Sequence, residues 1–272
     1  MEVGAGKARS VKLILSRAQL RAGQVKTEPK SGLEFVYIPA GSFHFGCEPQ
    51  DQNCGKDEKP GRSVSVRAFW LGKTDVTVAA YARCAAGGAC ESSIHSIETE
   101  QHTCNWKNGR LDHPINCVNW NDSKRFCAWA GGRLPTAEEW EYAAKSGESR
   151  VYPWGDQPVN GQRANFCDRN CPNALSDMDK KVFRDAHWID DAENDGYAGT
   201  SPVGYFPAGV TKWGLLDMAG NVMNWTATDY DAESKELRGG GWSAQPHDLR
   251  ASSRSMYAPS YRFHFMGFRC GL

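Results

Sequence analysis

The residues with the greatest chemical potential in this chain are its cysteines. The 272-residue sequence holds 10 of them, and none stands in a CxxC pair, so a zinc ribbon or a thioredoxin-type dithiol lacks its signature. Cys47 and Cys54 flank the polar segment EPQDQN, Cys84 and Cys90 flank AAGGA, and Cys167 and Cys171 flank DRN. Such loops bury little apolar surface, which makes crosslinks a natural source of their order. Cytosolic chains keep thiols reduced and seldom place so many in loops. The pattern predicts disulfides and an extracytoplasmic location: periplasmic, secreted or surface-displayed. His247 and Asp248 are adjacent in a loop, a pairing more often found as a surface contact than as a reactive site. Asp195-Gly196, taken alone, reads as a turn. No GxSxG elbow, HExxH helix or Walker loop is present, and no catalytic residue is expected.

Several elements must position these residues. Leu33–Phe45 reads as two short strands around a Pro-Ala-Gly turn, and Ser63–Leu71 as one further strand with Val64, Val66 and Ala68 on one face. Val76–Cys84 has helical spacing. Asn121–Ala130 reads as a helix with Asn121 and Asp122 at its N-cap and Gly131-Gly132 ending it. Thr136–Lys145 is a second helix, with Thr136 and Glu139 in a capping box. Ala86–Asp112 is polar and reads as a surface insertion. Arg150–Pro207, rich in Gly, Asp, Asn and Pro, has no sustained period; a loop of that length inside a domain is usually ordered for function, often by ions. Strand-like pieces follow in Gly214–Asp229 and Leu237–Leu272. The economical division is a tail, short amphipathic helix or leader remnant over 1–32 and one domain over 33–272.

Composition narrows the partners. Lys+Arg and Asp+Glu each total 32, a balance unlike the basic bias of nucleic-acid or anionic-membrane binders. The 28 glycines and 10 tryptophans suit a fold of ordered loops packed by large rings. No apolar run approaches the roughly 20 residues of a membrane span, and Val11–Leu15 is shorter than the about 7–15 residues of a leader's apolar core.

Five strings then become specific: FVYIPAGSFHFG, HPINCVNWNDSKRFCAWAGGRLPTAEEWEYAAK, YPWGD, GLLDMAGNVMNW and LRGGGWSAQPHDLRASSRSMYAPSYRFHFMGFRC. In this order they resemble the sulfatase-modifying-factor family, founded on the formylglycine-generating enzyme, over nearly everything after residue 33. The resemblance implies an α+β fold, a loop-rich variant of the C-type lectin fold with little regular secondary structure. It also implies a Cys127–Cys270 disulfide, and Cys104 with Cys117 is the next pair expected. The family's enzyme oxidises a substrate cysteine with copper on two cysteines, and a Cu(I) site of that kind needs soft thiolates. The matching stretch here, Gly241–Arg250, has no cysteine, so no copper and no formylglycine generation are expected. Calcium is implied at Asn165 and Asp195 through side chains and at Phe166 and Tyr197 through carbonyls, with Gly196 allowing the turn between ligands. A second family calcium site would use Gly220–Trp225, where Asn224 replaces the anionic Glu, and is expected to be weak. Ergothioneine-type relatives carry an extra iron-binding domain for which this chain has no room.

In C-type-lectin folds the C-terminal segment often displays the ligand surface. Ser243–Phe265 interleaves framework residues with Ser, His, Asp, Tyr and Phe, side chains that supply contact area and hydrogen bonds at low entropic cost. It resembles the variable proteins of diversity-generating retroelements, although Gln245 and Met256 are not products of adenine-directed change at Asn codons. The expected contact set is Trp242, Ser243, His247, Asp248, Ser255, Tyr257, Tyr261, Phe263, His264 and Phe265. The expected function is a non-catalytic binding or display module for a protein or glycan. The alternatives are that these aromatics are core, or that the chain is a periplasmic non-copper oxidoreductase, as in one relative acting on a siderophore precursor, with an enclosed pocket near Trp242 and His247.

Overall fold

The computed structural model describes residues 20–92 and 103–272; the expected tail before residue 20, and residues 93–102 of the Ala86–Asp112 segment, lie outside it. Among the described residues are nine short strands and four helices. The strands are β1 (Val25–Thr27), β2 (Glu34–Ile38), β3 (Gly41–Phe45), β4 (Arg62–Val66), β5 (Phe69–Gly72), β6 (Met223–Asp229), β7 (Lys235–Arg238), β8 (Arg254–Tyr257) and β9 (Met266–Gly267). The helices are α1 (Val78–Ala86), α2 (Trp120–Trp129), α3 (Ala137–Lys145) and α4 (Asp177–Asp185). They form three sheets, ordered β1-β2-β5, β3-β4 and β8-β7-β6-β9, joined by long loops. The architecture is α+β.

Several boundaries differ from expectation for physical reasons. Ser63–Leu71 is two strands in two sheets: β4 pairs with β3, and β5 with β2. Val66, Phe69 and Leu71 are the buried positions, and the three-residue step from 66 to 69 breaks the period of two that one strand would require. Residues 20–32 are part of the fold: β1 pairs Val25 with Val36, and Glu28 accepts hydrogen bonds from the Ser31 backbone and hydroxyl. VKT is too short to show a period. Helix α1 starts at Val78 because Thr77 caps it through Ala80 N, while Val76 donates instead to Phe268 O. The cap of α2 is Asn119, with Asp122 completing the capping box from the third helical position. The Thr136–Glu139 box opens α3. Helix α4 lies within the segment read as irregular; only Met178, Val182 and Phe183 of its nine residues are apolar, and none of its residues is buried.

The main core surrounds Tyr81, Phe126, Trp225 and Phe268, and a second packs Val36, Leu71, Trp140 and Tyr142 between the first two sheets and α3. The ten cysteines form five disulfides, Cys47–Cys54, Cys84–Cys90, Cys104–Cys117, Cys127–Cys270 and Cys167–Cys171. This number of bonds fits an oxidising compartment. Among the described residues no helix is long and apolar enough to cross a membrane. Cys127–Cys270 closes 143 residues and ties α2 to a C-terminus whose Gly271 bridges both Leu71 and Arg133. The chain-entropy model assigns such a loop about 4–5 kcal/mol. The paired Cys127→Ala and Cys270→Ala variant should therefore melt about 10–20 °C lower in calorimetry, and an unchanged melting temperature would show that this bond does not carry the fold.

Candidate ligand-binding cleft

Strand β8 runs antiparallel to β7 with Leu237 opposite Ser255 and Lys235 opposite Tyr257. Strand alternation sends Ser255 and Tyr257 to one face. The chain then turns back, bringing Phe263, His264 and Phe265 beside them. Phe263 and Phe265 stack at 5.3 Å and 8°, and Tyr257 meets Phe263 edge-on at 5.6 Å. Beneath them Trp242 is only 1% exposed. Its indole lies 4.7 Å from the His264 ring, and its Nε1 donates to His264 O at 3.3 Å. Asn116 Nδ2 donates to the same oxygen at 2.6 Å. Gly241 passes so close that an added Cβ would sit 3.1 Å from Phe265 Cβ.

The facing wall comes from α4 and its flanks: Leu175, Asp179, Phe183 and Trp188. Phe183 and Trp188 meet edge-on at 4.8 Å. Ser176 caps the helix through Asp179 N, and the buried Cys167–Cys171 bond packs with Leu175 against Trp242. Between the walls is a cleft of about 380 Å³. Ser243, Asp248, Ser255, Tyr257, Phe263, His264 and Phe265 all line it. Burial pushes the Tyr257 phenol upward.

Three expected contact residues lie elsewhere. Trp242 is a floor that orients His264 rather than a contact surface. His247 is exposed and outside the cleft lining, with Nε2 3.4 Å from Asp248 Oδ1. Tyr261, 46% exposed, borders an adjoining shallow groove with Asp231, Glu233 and Met256, and that groove shares Tyr257 with the cleft. The α4 wall was missed from sequence; its one local signal is the Ser176 to Asp179 cap spacing.

The Pro246–Leu249 turn that carries Asp248 is fixed by Arg250. The Arg250 guanidinium donates to both Glu58 carboxylate oxygens, to Asp51 Oδ2 at 2.9 Å and, through Nε, to His247 O at 2.6 Å. Asp51, Cys54 and Glu58 lie close enough to suggest a metal triad. Cys54 is bonded to Cys47, however, and Arg250 occupies the two carboxylates, so this is an ion-pair hub.

The expected calcium residues meet in one buried place. Asn165 Nδ2 donates to Gly199 O at 2.9 Å, whereas its buried Oδ1 has no hydrogen-bond partner among the described residues. Asp195 accepts from Phe166 N at 2.9 Å and Tyr197 N at 2.8 Å, and its own N–H donates to Asp168. Burial, with the neighbouring Asp168 charge adding to it, pushes Asp195 up to about 7. At the second family position, Asn224 is fully engaged: it donates to Asp75 Oδ1 and accepts from Trp140 Nε1 and Arg269 Nε. No cysteine is free, so the chain offers no thiolate to a soft metal.

A family model for the sulfatase-modifying factor enzyme 1-like domain matches residues 21–271. The inactive C-alpha-formylglycine-generating enzyme 2 of Bos taurus is 36% identical over 170 residues, 59% of this chain and 50% of that protein. The chain thus spans about half the length of this relative. Relatives called formylglycine-generating enzyme match as well. Among solved structures, PvdO from Pseudomonas aeruginosa superposes with a TM-score of 0.70 at 25% identity, covering 93% of this chain and 99% of the other. Treponema denticola variable protein 1 superposes at 0.61 and 18% identity over 91% and 98%, a likeness of fold. The expected loop-rich, C-type-lectin-like architecture is the one observed.

Removing the Arg250 side chain would leave Glu58 and Asp51 buried without a countercharge, which costs about 3–5 kcal/mol. Arg250→Ala should lower the urea midpoint accordingly. Arg250→Lys should recover only part, because an ammonium cannot reproduce the fork.

Proposed function

The chain belongs to the sulfatase-modifying factor family, and from that premise we propose that it is a non-catalytic binding or display module which takes a protein or glycan into its C-terminal cleft. The observation that carries the reading is the convergence of seven of the ten positions named from sequence on that single depression. Rigid rings and hydroxyls supply area and orientation there with little rotamer freedom to lose. The copper chemistry of the family needs two thiolates, and every cysteine is tied in a disulfide. The oxidoreductase alternative asks for a pocket shared by Trp242 and His247. The small recess of about 160 Å³ that reaches Trp242 is lined by Arg110, Asn173, Ala198 and Thr200 and does not include His247.

The reading includes one calcium ion, held by Asn165 and Asp195 side chains with the Phe166 and Tyr197 carbonyls. It is supported by the orphan Asn165 Oδ1 and by two buried carboxylates, Asp168 and Asp195, whose hydrogen-bond sets among the described residues include no Lys or Arg. A hard dication would neutralise that charge and fix the loops that precede and follow α4. Asn224, with both ends of its amide occupied, argues against a second ion. The disulfides support function outside the cytoplasm, in the periplasm, at the surface or in secreted form. Diversification of Ser243–Phe265 would act on the cleft's own wall; the treponemal fold likeness is compatible with it.

Three measurements test this reading. Millimolar calcium should raise the melting temperature over the chelator-treated protein by about 5–10 °C, and Asn165→Ala should abolish the rise. On peptide and glycan arrays, Phe263→Ala and Tyr257→Ala should lose the signal of the parent protein without a change in circular dichroism. Mass spectrometry of a sulfatase-type cysteine peptide should show no aldehyde; catalytic conversion would falsify the non-catalytic reading.

A further inference from the structure

The charges around the cleft and the groove beside it are one-sided. The cleft carries Asp179 and Asp248, and the groove beyond Tyr257 carries Asp231 and Glu233. No Lys or Arg lines either depression among the described residues, although the whole chain holds equal numbers of acids and bases, 32 each. Neighbouring cations are committed elsewhere: Lys180 to Asp177, Lys235 to Asp229, Arg254 to Glu236 and Arg262 to Asp122. Between the two acidic pairs stand ring faces and edges, with Tyr257 set 6.1 Å from Tyr261 on one side and 6.0 Å from Phe265 on the other.

Resting on the binding reading above, we infer that the occupant is a basic polypeptide segment, laid across Tyr257 with cationic side chains entering both depressions. Ring faces attract ammonium and guanidinium groups, and rim carboxylates that hold no Lys or Arg among the described residues complement them. A glycan fits less well. The polar lining consists of carboxylates, hydroxyls and one imidazole, with no Lys or Arg among the described residues, so sulfated or sialylated sugars would be repelled.

The test uses the full chain and fluorescein-labelled peptides of equal length in which Gly-Ser spacers separate Lys and Arg, Glu, or uncharged residues. By anisotropy the basic peptide should bind at least about 10-fold more tightly than the other two, and the gap should shrink as salt is added. Neutralising the exposed Glu233→Gln, whose removal disturbs no packing, should weaken basic-peptide binding about 2–5-fold, and so should Asp248→Asn. Tyr257→Ala should weaken it about 10-fold or more. Equal affinity for the three peptides, or a basic preference untouched by the Glu233→Gln and Asp248→Asn pair, overturns the inference. If a glycan array instead gives binding that Tyr257→Ala abolishes, the basic-segment inference fails and the binding reading stands. If nothing binds in a Tyr257-dependent way, both fail.

Discussion

Glu141 sits on α3 with no exposure to solvent, and its carboxylate is the point on which three parts of the chain converge. Gly46 N donates to it at 2.7 Å, Lys145 Nζ lies at 2.8 Å, and Arg238 Nη1 at 2.9 Å. Lys145, also fully buried, continues to Glu48 and to the carbonyls of His44 and Gly46. Arg238 continues to Glu236, and Glu236 to Arg254 at the start of β8. Three acids and three bases alternate along this line. Taking each ion out of water costs several kcal/mol, which is offset only when the whole set is assembled with its geometry intact. In a domain with so little sheet, this requirement does what long strand ladders do elsewhere: α3, the Gly46–Glu58 loop and the paired strands β7 and β8 have one mutual arrangement. Ser255 and Tyr257 follow Arg254 on the same strand, so one wall of the cleft is set by a polar lattice several residues away.

The opposite wall has a different origin. Helix α4 buries none of its residues, and nine residues of isolated helix are marginal in water. Its position depends on the Ser176 cap, the ring contact between Phe183 and Trp188, and the short Cys167–Cys171 loop packed on Trp242. The cleft thus joins a face of high local stability to one of low local stability. Such a pairing lets a surface keep a fixed aromatic platform while the facing helix adjusts to what is bound.

These two origins explain what was readable in the sequence. Capping chemistry is local, so the Thr136–Glu139 box gave α3 directly. Seven of the cleft-lining positions were readable because polar and aromatic residues alternate with framework ones in Ser243–Phe265. Cysteines that flank short polar loops declare their partners by proximity. Glu141 and Lys145, by contrast, look like any exposed pair one helical turn apart; nothing local says that both are sealed from solvent. Trp242 is as aromatic as Tyr257, and only the return of the chain at His264 makes it floor instead of surface. Helix α4 was hidden because only Met178, Val182 and Phe183 of its nine residues are apolar, in the middle of a segment rich in Gly, Asp, Asn and Pro.

Asn224 shows the same logic at the position where the family places a Glu. Arg269 is fully buried and brings one positive charge to a cluster that includes Asp75, at 3.1 Å, and Asp217, whose backbone carbonyl it also engages. Burial pushes Asp75 up to about 7 and Asp217 up to about 6, so two carboxylates already compete for one guanidinium. An amide at 224 donates to Asp75 Oδ1 and accepts from Arg269 and Trp140 simultaneously without adding charge, although Asp75 Oδ2 keeps no hydrogen-bond partner among the described residues. A carboxylate there would be a third acid, unable to donate to Asp75, and would require another cation beside it. A Glu at 224 with no cation beside it would leave a buried charge unpaired, a cost the amide avoids.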